Sequence, residues 1–309
     1  MAVNILPPAL WTGRNDPEDG DHALRLHHMV KENAPRALIG FASEAGVIRN
    51  KGREGAKQGP AALRRALTNL AAPAEPTPFT DLGDIEVTAD DLEAGQALLA
   101  EKVCDALGCH DRTIVLGGGH ETALGSYSGL AKAYPGKRIG IINLDAHLDL
   151  RLPGANGPSS GTPFAQIRTL DKENFDYLCL GVAEESNTIA LMNRARDWGV
   201  RIVSDHELIA NENAADEQIR AIAERCEIIY LTIDIDVLPH FQAPGVSAPA
   251  ARGVPFATIE YLVGYVLEIC KTGECRCPLA DIVELSPPND PQNVTAKSAA
   301  LLVRQLLFL

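Results

Sequence analysis

The chain has 309 residues, 46% of them apolar and 22% charged, with 41 acidic residues against 28 lysines and arginines. A chain of this length makes one large domain or two ordinary ones and buries roughly 75% of its unfolded surface, so its core needs no staples, and its composition excludes collagen, coiled coil and wholesale disorder. The net charge of −13 argues against a nucleic-acid footprint or a basic membrane-binding face, while a few local arginines can still hold an anionic small molecule.

Residues 1–35, rich in Pro, Asp and Gly, read as an irregular arm that lacks the basic start and apolar stretch of a signal peptide. ALIGF (37–41) is the first buried-strand candidate, followed by a polar, glycine-rich loop at 43–60, a helix over 61–70 and a proline-rich linker at 72–78. From residue 90 an alternation sets in. Helix 90–108 leads to strand 113–117, a helix over 121–133 to strand 138–145, and strand 177–182 to helix 187–198. Strand 200–203, helix 214–225, strand 228–236, helix 258–270, strand 279–285 and a last helix over 294–307 complete the pattern.

Short, continuously apolar strands alternating with helices predict a mostly parallel central sheet covered on both faces, a three-layer α/β/α fold with about seven strands. No composition break divides the chain, so a single domain over residues 1–309 is expected. No apolar run approaches the roughly 18 residues of a membrane span. Seven cysteines are an odd count in a chain too long to need a disulfide scaffold, and they read as reduced thiols of a cytoplasmic protein. Cys275 and Cys277 form a C-x-C pair, but no second pair or nearby histidine completes a zinc site.

Sheets of this kind carry their sites beyond the carboxyl ends of the strands. Strand 113–117 runs on to His120, strand 138–145 to Asp145, His147 and Asp149, and strand 228–236 ends with Asp234 and Asp236. A spacing of two in an extended chain puts side chains on one face, so each set can converge. A lone strand-end aspartate is ordinarily a helix cap. Asp234 and Asp236, however, interrupt an apolar strand with no Lys or Arg nearby in sequence, and buried carboxylates demand cations or partners. Four carboxylates and two imidazoles without a cysteine suit hard divalent ions such as manganese and balance two of them in charge. Two such cations sharing carboxylates lower the pKa of a water between them towards neutrality, which yields a hydroxide nucleophile without a serine or cysteine.

The segments GGGHE (117–121), DAHLDLR (145–151), SSGTPF (159–164), DIDVLPHFQAPGVSAP (234–249) and DIVELSP (281–287) resemble the ureohydrolases, the family of arginase, agmatinase, guanidinobutyrase and formimidoylglutamase, over roughly residues 37–308. The resemblance implies the arginase-like α/β/α fold and two Mn2+ ions held by His120, Asp145, His147, Asp149, Asp234 and Asp236. It also implies hydrolysis of a C–N bond in a small-molecule amidine, with Asp145, Asp234 and Glu284 at the chemistry and Glu284 pairing with the cationic amidine nitrogens. A homo-oligomer, trimer or hexamer, belongs to the same expectation.

Agmatinases of that family typically carry a histidine where Ser160 stands, and serine does not titrate near neutrality. That departure points to the formimidoylglutamase branch, which resembles SGTPF here. Arg151, two residues after Asp149, and Arg252, in the loop beyond Asp236, suit a substrate with two carboxylates and would repel a cationic tail. Ser160 and Asn187 are further candidate substrate contacts, Asn187 with a cap of helix 187–198 as the alternative reading, and Arg53 is a weaker candidate whose alternative is loop packing. The expected reaction is N-formimidoyl-L-glutamate plus water giving L-glutamate and formamide, a late step of histidine degradation. The alternatives are a guanidino-acid hydrolase releasing urea and an inactive structural relative. A phosphate loop at GGGHETALG fails for want of GxGxxG and of a following Lys-Ser/Thr.

Overall fold

The computed structural model describes residues 3–8, 10–88 and 90–309. Among the described residues nine strands form one sheet: β1 (Val3–Leu6), β2 (Arg36–Ala42), β3 (Phe79–Val87), β4 (Arg112–Leu116), β5 (Ile139–Leu144), β6 (Asp176–Val182), β7 (Arg201–Ser204), β8 (Ile228–Asp234) and β9 (Arg276–Val283). Their order is β1-β3-β2-β4-β9-β8-β5-β6-β7, with β1 antiparallel to β3 and every other pair parallel. The expected three-layer fold is therefore present.

Alternation along each strand feeds two separate cores. In β8, Ile229, Leu231 and Ile233 enter one apolar cluster, while Ile228 and Tyr230 enter the other. Helices Gly59–Thr68, Asp216–Arg225, Phe256–Thr272 and Val294–Phe308 cover the first face. Helices Leu92–Leu107, Thr122–Ala133, Pro163–Leu170 and Ile189–Asp197 cover the second. Among the described residues no helix is long and apolar enough to cross a membrane. All seven cysteines are free thiols.

Two strands depart from the sequence expectation. Part of the 1–35 arm is ordered as β1, whose backbone pairs Val3–Leu6 with Asp84–Val87 and covers the sheet edge; residues 1, 2 and 9 of the arm lie outside the described residues. The second unexpected strand, β3, follows the proline-rich linker and carries Asp81, Asp84 and Glu86, which break its apolar pattern. Its charges are tolerated because of a distant partner. Arg64, from helix Gly59–Thr68, donates to both carboxylate oxygens of Asp81 at 2.8 and 2.9 Å and pairs with Asp84. Trp11 Nε1 adds a third donor to Asp81 at 2.7 Å. Arg64 and Asp81 are both buried, so Arg64→Ala would strand two acids and is expected to cost about 3–5 kcal/mol of unfolding free energy. A lower urea midpoint with an unchanged slope is the reading that checks it.

Candidate active site

Four adjacent central strands, β4, β9, β8 and β5, deliver every expected ligand from their carboxyl ends. His120 follows β4, Asp145, His147 and Asp149 follow β5, Asp234 and Asp236 close β8, and Glu284 comes directly after β9. The loop after β4 must pass close beneath the loop after β2, since a Cβ at Gly118 would sit 1.8 Å from the Ser43 carbonyl oxygen. Only glycine allows that approach.

The ligands converge, but not by strand alternation. β5 ends at Leu144, and residues 145–149 are a loop in which Asp149 takes a left-handed φ of 46°. β8 ends at Asp234, whose Oδ1 accepts the Asp236 N–H at 2.9 Å and turns the chain into one helical turn, Ile235–Val237. Asp145 Oδ1 likewise accepts the His147 N–H at 2.6 Å. Each carboxylate thus bends the segment that brings in its neighbour, an aspartate habit that tight loops favour over extension.

His120 Nδ1 lies 3.2 Å from Asp145 Oδ2, 3.1 Å from Asp149 Oδ2 and 3.2 Å from Asp234 Oδ2. His147 Nδ1 lies 3.1 Å from Asp236 Oδ2 and 3.5 Å from Asp145 Oδ1. These groups form two cradles, His120–Asp145–Asp149–Asp234 and Asp145–His147–Asp236, that share Asp145. Among the described residues no lysine or arginine pairs with any of the four acids. Burial and the charges of Asp236 and Asp145 hold the Asp234 carboxyl well above the carboxylate range. Burial likewise pushes Asp236 up to about 6 despite the opposing effect of His147. Burial alone would depress the His120 imidazole, yet Asp145, Asp149 and Asp234 drive it far above its usual range. The Asp236 charge does the same for His147.

Against the effect of burial, His120 and His147 hold the Asp145 carboxyl below the usual range, while Asp149, Asp234 and Asp236 stay raised, as in a cluster short of positive charge. His120 Nδ1 and Asp236 Oδ1 are buried without a hydrogen-bond partner, and one imidazole N–H cannot serve three carboxylates. A pair of divalent cations fits both observations: each cradle offers hard oxygen donors plus one imidazole, and the bridging position of Asp145 lets one carboxylate serve both ions.

The loop from β5 is held from below. Asn143 donates to Asp145 Oδ2 at 3.0 Å, Tyr177 OH donates to the Leu148 carbonyl at 3.1 Å, and Cys179 Sγ donates to the His147 carbonyl at 3.4 Å. Asn187 belongs to the same scaffold. Its Oδ1 accepts the Leu148 N–H at 3.0 Å and its Nδ2 donates to the carbonyls of Ala146 and Ala183 at 3.0 and 2.9 Å. The cap of the following helix is Thr188, which accepts from Leu191. Asn143, Tyr177, Cys179 and the buried Glu121, which accepts from Ser43 and Gly46, were not singled out by sequence. For Asn143, the available signal was a polar residue interrupting the apolar strand IGIINL.

Beside the cluster opens a cavity of about 190 Å3 lined by Asn50, Arg151, Ser160, Asn187, Ser247 and Glu284 together with His147, Asp149, Asp234 and Asp236 of the cradles. Glu284 also has a left-handed φ, 67°, which is costly for a non-glycine residue and occurs where a site needs it. Its Oε1 accepts the His120 N–H at 2.8 Å, which fixes the carboxylate at the cavity edge. The Ser160 hydroxyl accepts from Asn50 Nδ2 at 3.2 Å. Arg151 lines the cavity with no ion-pair partner among the described residues. Arg53 is committed to the loop over the cavity, its N–H and Nε bonding the Ser247 hydroxyl and carbonyl at 2.8 and 3.1 Å.

Arg252 does not fit the expectation of a substrate contact. Its Nε pairs with buried Asp205 at 2.7 Å and its Nη2 with Glu185 at 2.6 Å, and it is not among the residues lining the cavity. Two acids already neutralise it, and no charge is left over for a ligand carboxylate.

A family model described as the arginase family matches residues 34–309. A formimidoylglutamase of Aeromonas hydrophila is 46% identical over 316 residues, 98% of each chain. One of Klebsiella pneumoniae is 43% identical over 319 residues, 99% of this chain and 98% of its own. The crystal structure of a Trypanosoma cruzi formiminoglutamase with Mn2+ superposes with a TM-score of 0.80 at 27% identity, covering 92% of this chain and 97% of its own. Fold and sequence agree, and the chain belongs to the arginase family.

Proposed function

We propose that the protein hydrolyses N-formimidoyl-L-glutamate to L-glutamate and formamide. The observation that carries this reading is the polarity of one cavity: Glu284 stands at the cluster end, and Arg151, without an ion-pair partner among the described residues, lines the same space. Such a cavity suits a molecule with a cationic amidine at one end and carboxylates at the other. The formimidoylglutamases at 43% and 46% identity support it, as does the serine at position 160.

Divalent cations in the two cradles would supply Lewis acidity and ionise water near neutral pH. The chain does the rest. With Oε1 anchored on the His120 N–H, Glu284 has Oε2 left to accept an amidine N–H, which holds the planar carbon against the cluster. Arg151 would grip a carboxylate through its guanidinium fork. Ser160 and Asn50 offer neutral hydrogen bonds, which leave proton transfer to the acid cluster.

The oxygen-rich donor set favours manganese. The same reading makes residues 1–309 one catalytic domain. A place in histidine degradation, a cytoplasmic location and a homo-oligomer, trimer or hexamer, are the further assignments that the likeness to this family supports.

The deciding experiment incubates the Mn2+-loaded protein with formimidoylglutamate, agmatine, arginine and guanidinobutyrate and follows products by mass spectrometry. Formamide and glutamate are expected. Urea from a guanidino compound, with formimidoylglutamate untouched, would replace the reading with a guanidino-acid hydrolase. Within the expected reaction, Arg151→Ala loses a charged hydrogen-bonded contact of about 1.5–3 kcal/mol, so KM should rise roughly 10- to 150-fold. Arg252→Ala, by contrast, is expected to leave KM within about twofold, because that side chain serves Asp205 and Glu185. Initial-rate kinetics on both variants check the pair.

A further inference from the structure

We propose that Asp281 is a positioning residue for the cation site, acting through Thr232 to hold His120 with its Nδ1 turned into the cradle. The inference rests on reading the acid–imidazole cluster as a divalent-cation site.

Asp281 lies in β9 among apolar neighbours and is fully buried, as is Thr232 opposite it in the β8–β9 register. Among the described residues no lysine or arginine pairs with Asp281. Tyr230 OH donates to its Oδ2, while Oδ1 is buried without a hydrogen-bond partner among the described residues. A carboxylate kept in such a place needs a reason.

The His120 ring supplies one. Its Nδ1 faces three carboxylates, so Nδ1 is the atom offered to a cation, and its Nε2 lies 3.1 Å from Thr232 Oγ1. An imidazole that gives its Nδ1 lone pair to a cation must carry its proton on Nε2. Nε2–H therefore donates to Thr232, and the threonine hydroxyl is left with a proton to give. Thr232 stands opposite Asp281 in the β8–β9 register, both fully buried, so the Asp281 carboxyl with its unpartnered Oδ1 is the group placed to accept that hydrogen bond. Burial raises the Asp281 pKa, and the Thr232 and Tyr230 hydroxyls oppose the rise. A carboxylate behind a ligating histidine fixes its tautomer, aims its ring and makes it a better donor.

Two further features favour the assignment. Phe164 meets the His120 ring edge-on, with centroids 5.2 Å apart and planes at 89°, so the ring is confined from a second direction. On the same face of the sheet, Asn143 performs an analogous service for Asp145 by donating to its Oδ2 at 3.0 Å.

The test titrates Mn2+ alone into metal-stripped full-length protein and counts free ion by electron paramagnetic resonance. Wild type is compared with Asp281→Asn, Thr232→Val and Thr232→Ser, each checked for native far-UV circular dichroism. His120 serves one cradle only, so Asp281→Asn and Thr232→Val should weaken one of the two sites by about 10- to 100-fold and spare the other. Thr232→Ser, which keeps the hydroxyl, should remain within about threefold of wild type. Thr232→Val binding both ions like wild type would overturn the proposal, and so would equal weakening of both sites, which would mean general loosening. If Asp281→Asn fails to fold, the valine and serine variants decide. A wild-type protein that binds no Mn2+ would remove the cation-site reading itself, a failure visible before any variant is compared.

Discussion

Asp234→Asn should abolish turnover, with kcat/KM falling at least about 1,000-fold, equivalent to roughly 4 kcal/mol of lost transition-state stabilisation. Asp234 Oδ2 faces His120 Nδ1 at 3.2 Å within the first cradle, while its Oδ1 is tied to the Asp236 N–H. An amide keeps the size of the side chain but presents a neutral oxygen or an N–H to a cation. The charge of the cluster falls by one, and the cradle that contains Asp234 should lose affinity most. Elemental analysis after dialysis should therefore find fewer ions per chain than in wild type.

Stability separates this outcome from misfolding, and the sign can be worked out. Without cations, burial and the charges of Asp236 and Asp145 hold the Asp234 carboxyl far above its usual range. A folded pKa raised above the unfolded value means that ionising this acid opposes folding once pH rises above the ordinary carboxylate range. Removing that acid should leave the metal-free protein at least as stable near pH 7 as the metal-free wild type. The thermal upshift on adding Mn2+ should shrink, because ligand-induced stabilisation follows affinity. A metal-free variant that melts far below metal-free wild type would point to structural damage and away from the proposed role.

Glu284→Gln is the second large effect, and it should separate substrate holding from cation holding. Glu284 belongs to neither cradle, so ion content should stay at the wild-type level. Its buried carboxylate is placed to meet an amidinium, and neutralising one partner of a buried charge pair costs about 2–5 kcal/mol. That corresponds to a fall in kcat/KM of roughly 30- to 5,000-fold. Glutamine can still accept the His120 N–H, which in wild type meets Glu284 Oε1 at 2.8 Å, so the loop after β4 should keep its place. Steady-state kinetics and metal analysis on one preparation decide the matter. Loss of ions together with activity would show that Glu284 supports the cluster and does not hold the substrate.

Much of this architecture was open to reading from the chain alone. Short, continuously apolar strands between helices specify a covered parallel sheet because few other arrangements bury both faces of such strands. The six cradle residues stood out because buried charge is expensive, so acids at the ends of apolar strands advertise a counter-charge that the local sequence lacks. Asp281 belonged to the quoted segment DIVELSP yet drew no role, since one polar residue in a strand says nothing about what lies across the sheet.

Tertiary structure decided the rest. β3 was invisible because Asp81 and Asp84 spoil its pattern, and Arg64, which makes them tolerable, belongs to the preceding helix. Arg151 and Arg252 look equally available in sequence, but folding places two acids against Arg252 and none of the described ones against Arg151. The ligands meet through a left-handed turn at Asp149 and a side-chain hydrogen bond at Asp234, where strand alternation had been expected to align them. Sequence order determines what a residue costs to bury. Only the fold determines which distant group meets that cost, because contacts between remote segments leave no trace in local spacing.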